Sequence, residues 1–81
     1  MAEYTIKTPE QLGSMLRGFR RERKLSQQEV GTKAAFPQPV ISKIEANSGK
    51  ITLSRLLKVL AVLDLELVVR PRGQAKRLRE W

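Results

Sequence analysis

The chain has 81 residues, 41% of them hydrophobic, with 16 Lys and Arg against 8 Asp and Glu and a net charge of +8. It holds neither cysteine nor histidine, which excludes disulfides, thiolate metal sites, catalytic thiols and the commonest general base, so neither a cofactor nor an enzyme is expected. The length implies one domain with a marginal core that gains stability by oligomerising, and the charge suits a polyanionic partner.

The first element opens at "TPEQLGSMLRGFRRERK". Thr8 is the candidate N-cap, Pro9 takes the first helical position, and Gln11 completes a capping pair. Leu12, Met15, Leu16 and Phe19 then recur at the helical period. Gly13 and Gly18 weaken this helix, each by up to ~1 kcal/mol relative to alanine. Ser26 and Glu29 form a second capping box, and a helix follows from about Gln27 to Ala34. Pro37 cannot extend that helix, and Phe36, which precedes it, is pushed out of helical geometry. Pro39 fits the first turn of a third helix, where its missing N–H is not needed. This helix runs to about Glu45, with Ile41 and Ile44 inward. "ANSGK" reads as a loop. Thr52 or Ser54 caps a fourth helix, whose expected core stripe is Leu53, Leu56, Leu57, Leu60 and Leu63.

"DLELVVRP" changes period. Leu65, Leu67 and Val69 alternate with Glu66, Val68 and Arg70, as in a strand that Pro71 ends. One short strand leaves its backbone groups without partners. The economical expectation is pairing with its copy in a second subunit, with Leu65, Leu67 and Val69 forming the dimer strand. The tail "RPRGQAKRLREW" is basic and offers little to a core, so it is expected to be mobile in isolation. The expected organisation is an N-terminal arm over 1–8, a single domain over 9–70 that holds the helices and the dimer strand, and a basic tail over 71–81.

Two short helices joined by a tight turn match the helix-turn-helix pattern. With Ile41 and Ile44 turned to the core, Gln38, Pro39, Ser42 and Lys43 face outward near the start of the third helix, the part that reaches base edges. A glutamine pairs with adenine N6 and N7, a proline touches a thymine methyl, and serine or lysine meets base or phosphate. Gln27 begins the second helix, where backbone N–H groups favour phosphate. Lys33, Lys50 and Arg55 are further candidates for the DNA backbone. An isolated surface glutamine is ordinarily just solvated; the helix-turn-helix setting and the charge are what favour a base contact for Gln38.

These residues carry a resemblance. "LSQQEVGTKAAFPQPVISKIEAN" resembles the phage-repressor-like, Xre-type DNA-binding domain, over roughly Pro9 to Leu63. The resemblance implies a mainly α, four- to five-helix domain in which Gln27 and Gln38 meet backbone and bases and Arg20 pairs with Glu45. The chain departs from the family at Ala35, where glycine is frequent, and at Pro37, where a polar cap is frequent. A fourth helix followed at once by "LELVV", with a tail ending Glu80-Trp81, is similar to the HipB-type antitoxins. That similarity implies a homodimer that represses its own toxin-antitoxin operon and binds a HipA-type serine/threonine kinase toxin. Lys76, Arg77, Arg79 and Trp81 are then the expected toxin-binding residues. The alternative is a plain Xre-type repressor with no toxin partner. Membrane attachment is disfavoured, because the tail has only Leu78 and Trp81 as apolar anchors. No apolar run reaches the ~18 residues of a membrane span. The first residues lack a signal-peptide core, so the expected location is the bacterial cytoplasm, associated with the nucleoid.

Overall fold

The computed structural model describes residues 3–46 and 48–72. Four α-helices form: α1 (Pro9–Glu22), α2 (Gln27–Ala34), α3 (Gln38–Ala46) and α4 (Leu53–Val62), with a 3₁₀ turn at Ser48–Lys50 between the last two. Their starts follow from local chemistry. Thr8 Oγ1 accepts from the Gln11 backbone N–H at 3.2 Å, and Gln11 Oε1 accepts from the Thr8 N–H at 3.2 Å. Ser26 and Glu29 repeat the arrangement at 3.0 and 2.7 Å. The Ser26 backbone and hydroxyl together hold the Glu29 carboxyl below its ordinary range. At α4 the cap is Thr52, whose hydroxyl accepts from the Arg55 N–H at 3.2 Å; Ser54 lies inside the helix.

The ends of α1, α2 and α4 share one device. Lys24, Ala35 and Asp64 each adopt left-handed backbone, with φ of 59°, 63° and 59°. The next residue in each case donates its N–H five residues back: Leu25 to Arg20, Phe36 to Gly31 and Leu65 to Leu60, at 3.0, 2.8 and 2.8 Å. These are Schellman endings built without the usual glycine. In the turn from α2 to α3, Gly31 has its own requirement. A Cβ there would stand 2.6 Å from the Phe36 carbonyl oxygen.

The core is Leu16, Val30, Ile41, Ile44, Val59, Leu60 and Leu63. It gathers one face from each helix, so α2 and α3 are held against α1 and α4 as a unit. The expected stripe of α4 needs correction. Leu53 is 60% exposed and Leu57 46%, while Val59 is buried. The helix turns Leu56, Val59, Leu60 and Leu63 inward, the i, i+3, i+4, i+7 set, and leaves Leu53 and Leu57 on another face. The fold is mainly helical as expected, but the described residues contain no strand. Residues 65–70 follow α4 as irregular chain. Leu65 packs against the core, and Leu67 and Val69 are exposed. Among the described residues, no backbone hydrogen bond pairs 66–70 with another segment. A ladder needs a paired backbone, and none of the described residues supplies one there.

Candidate nucleic-acid interface

α2 and α3 present their N-terminal ends side by side, and a buried carboxylate lies behind them. Glu45 is 7% exposed. Its Oε2 accepts from Arg20 Nε at 2.6 Å and its Oε1 from Arg20 Nη2 at 3.2 Å, a two-point grip that ties α1 to α3. Arg20 also donates to the Leu25 carbonyl at 2.9 Å. Arg17 Nε stands 3.6 Å from Glu45 Oε1. Burial alone pushes the Glu45 carboxyl up, but hydrogen bonds from Arg20 and Gln27, with the charges of Arg20 and Arg17, outweigh it and hold the group below its ordinary value.

From Glu45 a chain of amides runs outward. Gln27 Nε2 donates to Glu45 Oε1 at 3.1 Å, and Gln38 Nε2 donates to Gln27 Oε1 at 2.6 Å. The direction is forced. An ionised carboxylate only accepts, so Gln27 must turn its NH₂ toward Glu45. Its carbonyl then faces Gln38, which must turn its own NH₂ inward. Gln38 is left with Oε1 and one N–H, neither with a protein partner among the described residues. A carbonyl beside an N–H is the pair that matches N6–H and N7 on the major-groove edge of adenine.

The other expected residues are placed as follows. Pro39 and Lys43 are exposed on α3, and Ser42 is half-buried. Lys33 is exposed at the end of α2, Lys50 ends the 3₁₀ turn, and Arg55 is exposed on the first turn of α4. Among the described residues, no carboxylate forms an ion pair with Lys33, Lys43, Lys50 or Arg55. Lys76, Arg77, Arg79 and Trp81 lie outside the described residues. Gln27, the candidate for the DNA backbone, is half-buried between Glu45 and Gln38; its amide orients Gln38 and keeps a second N–H beyond these two bonds. Sequence reasoning missed that relay. It spans 18 residues from Gln27 to Glu45, and no local pattern encodes it. The described residues hold no cluster of His, Cys, Asp or Glu able to bind a metal, and no helix among them is long and apolar enough to cross a membrane.

Comparison with known proteins places this geometry. A family model described as helix-turn-helix matches residues 16–69. An uncharacterized HTH-type transcriptional regulator, y4dL, of Sinorhizobium fredii is 35% identical over 70 residues, covering 86% of this chain and 36% of the relative's own length. Among solved structures, a chain of the HipA–HipB–O2–O3 complex superposes with a TM-score of 0.83 at 27% identity, over 88% of this chain and 100% of that one. The HipB–O4 20mer complex gives the same values. The restriction-modification controller protein C.Esp1396I shares the fold, with a TM-score of 0.69 at 22% identity over 72% of this chain and 75% of that one.

Proposed function

We propose that this chain, which belongs to the helix-turn-helix family of DNA-binding transcription regulators, is a dimeric, sequence-specific repressor of the HipB antitoxin kind. Gln38 reads an adenine, with Gln27 holding its amide from behind. Pro39 and Ser42 line the same groove, and Lys33, Lys43, Lys50 and Arg55 meet phosphates. The carrying observation is the Glu45–Gln27–Gln38 relay, which presents one acceptor and one donor at the tip of α3. Binding-site selection from random duplexes should return a two-fold palindrome, with half-sites one helical turn or a small multiple apart. Gln38→Ala should reduce preference at one base pair of each half-site by ~1–3 kcal/mol. An unchanged ratio of specific to random binding would remove the base-reading role.

The antitoxin half of the reading is supported by likeness to HipB chains over their whole length. It proposes a HipA-type kinase as protein partner, with Lys76, Arg77, Arg79 and Trp81 meeting it. Trp81→Ala should weaken toxin binding by ~2 kcal/mol or more, as expected of an interfacial anchor, and leave DNA binding unchanged. A plain repressor is the second reading. It is favoured by y4dL, an HTH-type transcriptional regulator of which this chain spans 36%. Titrating the full chain against a HipA-type kinase separates the two: saturable binding supports the antitoxin, and its absence leaves the plain repressor.

A further inference from the structure

The turn that delivers Gln38 carries an aromatic side chain with no part in base reading. Phe36 is half-buried and packs against the core, so its ring is held in place. Two cations from α4 approach that ring, Arg55 Cζ and Lys58 Nζ, each 5.6 Å from its centroid. Their i, i+3 spacing puts both on one side of the helix.

Arg17, Arg20, Arg23 and Arg70 each face a carboxylate. Like Lys33, Lys43 and Lys50, Arg55 and Lys58 have no carboxylate partner among the described residues, and what sets these two apart is the ring they share. Two like charges gathered at one neutral ring repel each other, and an anion set between them relieves that repulsion. The ring also orders two long side chains before any ligand arrives, which lowers the entropy lost on binding.

The location fits the phosphate backbone. Phe36 stands two residues before Gln38, at most about 7 Å away between Cα atoms. The major groove is only about 12 Å wide. With Gln38 at base edges, the Phe36 side of the turn borders the phosphates that line the groove. We infer that Arg55 and Lys58, gathered on Phe36, form a phosphate-contact site flanking the recognition helix, with Phe36 as its positioning residue. The inference rests on the DNA-binding reading above and adds Phe36 and Lys58 to it.

The test is a salt titration of the full chain on a mixed-sequence DNA duplex. Arg55→Ala and Lys58→Ala should each reduce the slope of log affinity against log salt by about 1. Phe36→Leu keeps an apolar side chain and removes the ring face; affinity should fall several-fold, and Phe36→Tyr should restore it. In the background lacking both cations, Phe36→Leu should have little further effect. Thermal unfolding of each variant reports whether the fold survives. Should Phe36→Leu fail to fold, the exposed Lys58→Ala decides alone. A Lys58→Ala slope equal to the parent's, in a protein whose Lys43→Ala does lose slope, overturns the inference and leaves the recognition helix standing. No binding of the parent chain to operator or mixed duplex defeats both.

Discussion

Glu45 shows how a buried side chain sets the orientation of an exposed one, here Gln38 through Gln27. Its carboxylate is buried, gripped by Arg20, and accepts from Gln27. Removing one partner of such a pair strands the other, at a cost of about 3 kcal/mol, so Arg20→Met should lower stability by that order in urea denaturation. The pH dependence follows from the sign of the shift. The folded carboxyl lies below its ordinary 4.5, so its stabilisation is complete above about that pH and is lost as pH falls through the lowered folded value. Glu45→Gln should flatten this acid limb of the stability curve. An amide at position 45 can donate as well as accept, so the same substitution should loosen the orientation of Gln27 and Gln38. Gln27→Ala should lower discrimination at the Gln38 base pair by about 1 kcal/mol, read as the affinity ratio between the selected site and its single-base variant. Lys33→Ala should weaken both sites equally.

At the scale of elements, the helix boundaries separate settled chemistry from strain. Ala35 is held at φ 63°, where a Cβ is unfavourable by roughly 1–2 kcal/mol. Ala35→Gly should raise stability by ~0.5–1 kcal/mol, the gain being trimmed by the freedom glycine adds to the unfolded chain. Gly31 is the opposite case. A Cβ there meets a backbone oxygen at 2.6 Å, so Gly31→Ala must displace the turn and with it Gln38. Loss of both thermal stability and base preference is expected. Gly18 is exposed in mid-α1, and a Cβ there would meet nothing within 4 Å. Gly18→Ala should therefore stabilise by ~0.5–1 kcal/mol. Of the two glycines read as weakening α1, Gly13 is buried and therefore answers to packing as well as to propensity.

At the scale of the molecule, apolar surface is left over. Leu53 and Leu57 on α4, with Leu67, Val68 and Val69 beyond it, are 46–90% exposed. The segment carrying the last three has no backbone partner among the described residues. Arg70 ties its end to the N-terminal arm, through Glu3 at 3.1 Å and Thr5 at 3.2 Å, while Tyr4 stacks edge-on to Phe19 with ring centroids 5.2 Å apart. A segment held by a local anchor, with apolar side chains outward and no backbone partner among the described residues, suits pairing with a second copy across a two-fold axis. Val68→Pro would remove a ladder donor. Sedimentation should show the parent as a dimer at micromolar concentration and the variant shifted toward monomer; a parent that sediments as a monomer there would refute the pairing.

The sequence by itself determined what depends on neighbours along the chain. The Thr8 and Ser26 capping boxes, the break at Pro37, the start of α3 at Gln38 and the inward Ile41 and Ile44 all follow from residues within about one turn of each other, where a side chain meets its own backbone. The Arg20–Glu45 pair follows from the resemblance of the whole segment to a family, and the structure contains it. Tertiary structure decided the rest. Which leucines of α4 face inward depends on the angle at which α2 and the other helices receive it, so a periodic stripe admitted Leu53 and Leu57 where packing chose Val59. The partners of Gln27, and the ring beneath Arg55 and Lys58, belong to other parts of the chain. Their orientation is fixed only when the core brings those parts together, because hydrogen bonds and cation–ring contacts act over a few ångströms of space, whatever the separation along the chain.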